Sequence, residues 1–91
     1  MHGPVRNNPA LSRYEMDVEG GVAFATYRAD DRTVTVTHTE VPPSLRGRGL
    51  GDELVRGTLD LIRASGRKLV PRCGFVSIFV RRHPEYHDLL G

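Results

Sequence analysis

Ninety-one residues make one small domain, because a second hydrophobic core could not form in that length. Thirteen Lys+Arg against eleven Asp+Glu leave a formal net charge of +2, too little for indiscriminate binding of nucleic acid or membrane. No apolar run approaches the ~20 residues that span a bilayer, no basic-then-apolar leader opens the chain, and the single cysteine, Cys73, has no internal partner, so a reducing cytosol is the expected compartment.

Residues 1–9 lack apolar periodicity and read as a flexible tail, with the folded domain spanning 10–91. Tyr14, Met16 and Val18 then alternate with Arg13, Glu15 and Asp17, the pattern of a half-buried strand. Glu19-Gly20-Gly21 turns the chain into a second strand, Val22 to Arg28, with Val22, Phe24 and Thr26 on one face. A further turn over Ala29-Asp30-Asp31-Arg32 leads to the β-branched run Thr33 to Val41, which Pro42-Pro43 ends. The period then changes. Leu50, Leu54, Val55, Leu59, Leu61 and Ile62 share one broad helical face. Asp52 and Glu53 open that helix, Arg63 closes it, and Ser65-Gly66 stops it. Lys68 to Arg72 is a short strand. Phe75, Val76, Phe79 and Val80 follow at helical spacing until His83-Pro84, and Glu85 to Gly91 is a short tail in which Leu89 and Leu90 dock. The order β-β-β-α-β-α gives a mixed α/β (α+β) fold with a mostly antiparallel sheet.

Charge is uneven along the chain. Residues 1–45 hold four Arg against six acids, and residues 46–91 hold nine Lys+Arg against five. The second half contains Arg46-Gly47-Arg48-Gly49-Leu50-Gly51, three glycines in five residues between a strand and an amphipathic helix. The first N–H groups of a helix have no internal acceptor, and with the helix dipole they favour an anion such as a diphosphate. The spacing fails the G-x-G-x-x-G dinucleotide fingerprint, because the position after Gly51 is Asp52, and it lacks the Lys-Ser/Thr of a P-loop. Arg46 and Arg48 without interleaved aromatics do not make a nucleic-acid surface.

Arg46, Gly49 and Gly51 do satisfy an R/Q-x-x-G-x-G/A signature. Together with His38-Thr39-Glu40-Val41-Pro42 before it, and Pro71-x-Cys73 and His83-Pro84-Glu85-Tyr86 after it, the chain resembles a small, minimal branch of the GCN5-related N-acetyltransferases over roughly residues 11–90. The resemblance implies an acetyl-CoA (coenzyme A) site. Loop residues Arg46, Gly47, Arg48, Gly49, Leu50 and Gly51 would hold the diphosphate, the strand edge at Thr39, Glu40 and Val41 would pair with the pantetheine arm, and Cys73 would lie near the thioester. It also implies transfer to a primary amine: a small amine, a peptide N-terminus or a protein lysine.

Two departures stand out. Only Glu19-Gly20-Gly21 separates the first two strands, where typical members insert helices that wall the acceptor site, so the acceptor side is expected to be open. The last helix also lacks the tyrosine that usually protonates the departing thiolate, since Tyr86 comes only after Pro84. Cys73, opening that helix beside Arg72, compensates either by protonating the leaving sulfur or by accepting the acetyl group transiently; its other reading is an inert core thiol. Glu40 and His38 lie two apart on one strand face, where either takes the proton that a protonated amine must lose; their other readings are a solvated rim carboxylate and a sheet-bonded imidazole. His83 and His87 have helical metal-ligand spacing, but Pro84 interrupts that helix and no metal site is expected. Arg81 and Arg82 suit the negative end of a helix. The alternative to an enzyme is a weakly active or non-catalytic acyl-CoA sensor. Either one acts as a monomer or weak homodimer.

Overall fold

A computed structural model describes residues 2–91. Five strands lie in the sequential order β1 (Val5–Asn8), β2 (Arg13–Val18), β3 (Gly21–Ala29), β4 (Thr33–Glu40) and β5 (Lys68–Pro71). The first four are antiparallel, and β5 joins β4 in parallel, with α1 (Leu50–Ala64) making the crossover. Then α2 (Gly74–Arg82) and a 3-10 stretch, Pro84–Leu89, close the chain. The β-β-β-α-β-α order stands, with one strand added at the front.

That strand corrects the expected tail. Val5–Asn8 pairs residue for residue with Met16–Arg13, and Gly3 N–H donates to Asp17 O at 3.0 Å. The folded unit therefore starts well before residue 10. With one apolar residue in four, β1 has no periodicity to read; pairing, side-chain hydrogen bonds at Arg6, Asn7 and Asn8, and the packing of Val5 hold it. Val5 rests on Gly57 of α1, where an added Cβ would stand 2.3 Å from Val5 Cγ2. A glycine in mid-helix costs about 1 kcal/mol relative to alanine, and here it admits a strand side chain.

One core holds everything. Tyr14, Met16, Ala23, Ala25, Val34, Val36 and Leu69 from the sheet meet Leu54, Val55, Leu59 and Ile62 of α1 and Val76, Phe79 and Val80 of α2. The core face of β3 is thus Ala23 and Ala25, not the Val22-Phe24-Thr26 face read from hydrophobicity. Two alanines let α1 approach closely, while Phe24 turns to the other side and lies under the Arg13 guanidinium, 4.6 Å from ring centroid to Cζ.

Glu15, expected on a solvated face, is buried there. It accepts from Arg13 Nε, from Arg6 Nη2 at 3.1 Å and from Asn8 Nδ2 at 3.2 Å, two of the three donors being delivered by β1. Chiefly the Arg13 hydrogen bond, working against desolvation and helped by Asn8 and Arg6, holds its carboxyl below the usual value. At the other end Leu89 is buried in the core, and Leu90 bridges Leu69 through main chain with its side chain out.

Two outcomes test this architecture. Gly57→Ala should cost about 1–3 kcal/mol by overpacking. Because Val5 Cβ as well as Cγ2 would meet the new methyl, at 2.7 and 2.3 Å, Val5→Gly in the same chain should relieve the clash where Val5→Ala does so only in part, as thermal melts of the single and double variants would show. A carboxyl whose folded pKa lies below its unfolded value, ~4.3, stabilises the fold above that pH and loses its contribution as pH falls through the folded value. Denaturation of wild type should therefore steepen with acid below pH ~5, whereas Glu15→Gln should be weaker at neutral pH and flatter in acid.

Candidate acyl-coenzyme site

The site begins where two strands part. Pairing of β4 with β5 ends at Val36 and Pro71. There Val36 O accepts both Arg72 N–H, at 3.0 Å, and Cys73 N–H, at 3.1 Å, which turns the chain out of the sheet into α2. Beyond Val36, β4 continues to Glu40 with no strand on that side.

Within the same few residues the register of β4 on β3 slips. Tyr27 faces Val36 but Thr26 faces His38, so Thr37 is the extra residue of a bulge, and its hydroxyl meets that of Thr26 at 2.9 Å. A one-residue slip exchanges the faces. Thr39, opposite Ala25, now points to the helices, where its Oγ1 lies 3.6 Å from Cys73 Sγ. His38 and Glu40, opposite Thr26 and Phe24, point to the other face, exposed, with His38 Nε2 3.3 Å from Glu40 Oε1. The two do share a face, as expected. It is the one that carries none of the core.

Between β4 and the helices lies a cleft of about 540 Å³, lined by Thr39, Glu40, Val41, Leu45, Arg46, Gly47, Gly49, Leu50, Gly51, Asp52 and Phe75. Gly47 and Gly49 adopt φ of +83° and +77°, a region that side chains disfavour, and nothing lies within 4 Å of where their Cβ would be. Gly49 caps α1 without a side-chain bond, and the first helical hydrogen bond is Glu53 N–H to Gly49 O at 3.2 Å. The N–H groups of Leu50, Gly51 and Asp52 therefore have no acceptor among the described residues.

An anion fits that mouth: three free donors, a positive helix end and open space above two glycines. Arg46 and Arg48 are both exposed beside it. Arg46 also donates Nε–H to Val41 O at 3.3 Å, tying the start of the loop to the end of β4. Asp52 and Glu53 oppose the anion, being placed for the helix dipole instead.

The structure gathers eight of the expected residues on the cleft wall, and leaves His38, Arg48 and Cys73 off it. Cys73 reaches the cleft through Thr39. Its half-buried thiol is disfavoured as an anion by desolvation, yet the Val76 and Phe75 N–H groups, with the Thr39 hydroxyl and main chain, outweigh that and lower it below the ordinary thiol value. This is the effect of a helix start on a sulfur.

Leu45, Asp52 and Phe75 were not singled out as site residues by pattern. Phe75 read as core with Val76, Phe79 and Val80, although apolar residues on more than one side of so short a helix were a signal that one of them lies outside. The remaining candidates have structural partners. Tyr86 is buried and donates to Asp60 Oδ1 at 3.0 Å, nine residues or about 13 Å along α1 from Gly51. His83 Nδ1 and His87 Nε2 donate to Phe79 O and Val80 O, at 2.7 and 3.0 Å, closing the end of α2.

A strand, a glycine-eased turn carrying a row of unbonded amides, and a parallel partner that splays away describe a family rather than a single protein. The family described as GCN5-related N-acetyl-transferase matches residues 13–89, and the chain belongs to it. Among curated proteins, Protein NATD1 of Xenopus tropicalis is 32% identical over 53 residues, covering 58% of this chain and 49% of its own. Protein NATD1 of Homo sapiens is 34% identical over 53 residues, covering 58% and 47%. The match thus spans about half the length of these relatives. The NMR solution structure of a GCN5-like protein from Staphylococcus aureus has the same fold, with a TM-score of 0.72 at 22% identity over 96% of this chain and 86% of that one. Among the described residues no helix is long and apolar enough to cross a membrane.

The thiol is directly testable. Alkylation of Cys73 by iodoacetamide should follow a pH midpoint below ~8.5, and Thr39→Val, which removes the hydroxyl, should move that midpoint upward. An unshifted wild-type midpoint would remove the helix-start effect.

Proposed function

We propose that this chain binds acetyl-CoA in the cleft and transfers the acetyl group to a primary amine. The single observation that carries this reading is the row of unbonded N–H groups at Leu50, Gly51 and Asp52, facing the part of β4 that has lost its parallel neighbour. When bound, the coenzyme supplies an activated acyl thioester.

The chain does the rest. The amides of Leu50 to Asp52 hold the diphosphate, with Arg46 and Arg48 adding charge. The free edge of β4 at Thr39, Glu40 and Val41 orients the amide-bearing arm. Glu40, assisted by His38, takes the proton shed by the amine, which is almost wholly protonated at neutral pH. Cys73 holds a proton for the leaving sulfur, and its lowered pKa makes it a better donor than an ordinary thiol. The helix-free face on which His38 and Glu40 stand admits a small amine, a peptide N-terminus or a protein lysine. The lone thiol suits a reducing compartment, the cytosol.

Acetyl-CoA at a hundred times its Kd should stabilise the chain by about 2.7 kcal/mol, a melting shift of roughly 10 °C or more for a domain of this size. Gly49→Asp, a carboxylate facing the diphosphate, should abolish the shift. No shift at millimolar ligand would reject the pocket. Cys73→Ala should keep the shift and lower turnover at least about tenfold, while mass spectrometry of wild type separates a proton donor from an acetylated nucleophile.

A sensor without turnover is the second reading. It is favoured by the tyrosines: Tyr14 is in the core, Tyr27 lies against it, Tyr86 is bound to Asp60, and none lines the cleft. A full thermal shift with no acetyl transfer across a panel of amines and peptides would decide for it.

A further inference from the structure

We propose that Asp52 keeps the coenzyme loosely held, its carboxylate repelling the diphosphate that its own N–H group binds; the inference rests on the coenzyme reading above. Asp52 is the one acidic residue of α1 on the cleft wall. Its N–H is one of the three donors without an acceptor at the helix mouth. Bond lengths do the rest. An aspartate carboxylate oxygen stays within about 5 Å of its own main-chain nitrogen in every rotamer, and a phosphate oxygen accepting from that nitrogen lies about 2.9 Å from it. The two anions are then less than ~8 Å apart, inside the ~10 Å over which 0.1 M salt screens a charge.

The helix dipole does not require this charge. Glu53, the next residue, already places an acid in the first turn, off the cleft wall and with its Oε2 3.9 Å from His2 Nε2. Asp52 makes no cap hydrogen bond, and none of the ion pairs among the described residues includes it. Its carboxylate suits the positive helix end until a diphosphate takes the amides, and from then on it faces two like charges. Arg46 and Arg48, equally without an ion-pair partner among the described residues, pull the other way.

Acetyl-CoA and coenzyme A carry the same phosphates, so the repulsion weakens both by one factor. It leaves the chemical step alone and acts on occupancy, above all on how soon the product coenzyme leaves. Coulomb's law gives its size. One pair of unit charges ~8 Å apart is worth about twofold in affinity at the dielectric constant of water, and about thirtyfold at an effective value of about 20.

The experiment is calorimetric titration and stopped-flow release of coenzyme A and acetyl-CoA for wild type, Asp52→Asn, Asp52→Ser and Glu53→Gln, each variant first checked by its melting temperature. Both Asp52 variants should bind the two ligands at least about fivefold more tightly than wild type, by one factor for both, and release them more slowly. Glu53→Gln, which loses a neighbouring charge of the same helix turn, should tighten binding by less than half as much on a logarithmic scale. Raising the salt should shrink the gap between wild type and the Asp52 variants. Unchanged or weaker binding in the Asp52 variants, a gap indifferent to salt, or equal tightening in Glu53→Gln would overturn the role of Asp52 and leave the pocket standing. Failure of wild type to bind coenzyme A at all would overturn the pocket, and this inference with it.

Discussion

One carbonyl oxygen organises this molecule. Val36 O takes the N–H groups of both Arg72 and Cys73, which ends the parallel pairing of β4 with β5 and brings the start of α2 to Thr39. Each hydrogen bond adds only about 0.5–1.5 kcal/mol net, but leaving such main-chain groups buried and unpaired would cost about 1–3 kcal/mol apiece. The chain therefore has little freedom to close the sheet. The opening between β4 and α2, the exposure of the Thr39–Val41 edge and the position of the Cys73 sulfur all follow from that choice.

The Thr37 bulge completes the arrangement. It exchanges the faces of β4 after Val36, sending Thr39 inward and His38 and Glu40 outward. Thr39, with the Cys73 sulfur beside it, thereby faces the opposite side of the strand from its immediate neighbours His38 and Glu40.

How much of this was legible depends on whether the information is local. The turn Arg46–Gly51 could be read because the end of a strand, an uncapped helix start and the glycines that ease it are written within a few residues, and the unbonded amides of a helix start are equally local. The alternation of Tyr14, Met16 and Val18 set the face of β2 for the same reason. The second strand was harder: hydrophobicity favours Phe24 over Ala23 and Ala25, yet the closeness of α1 demands the small residues and the Arg13 guanidinium gives the ring a use on the far side. Val5–Asn8 carries no pattern; its strand partner is the nearby Met16–Arg13, but Gly57, which admits Val5, lies far along the chain. Phe75 matched the helical spacing of its neighbours, and only the position of Gly51 shows that it lines a cleft.

By itself the sequence determined which segments extend and which coil, where the glycine-rich turn and the uncapped helix start lie, and the family, because backbone conformation, capping and dipoles are decided by neighbours a few residues apart. Tertiary structure alone decided which face of β3 and of the end of β4 is inside, that residues 5–8 complete the sheet and shield Glu15, and that Thr39 links the Cys73 sulfur to the cleft. Those outcomes turn on a single-residue slip between strands and on contacts across tens of residues, and no local pattern records either.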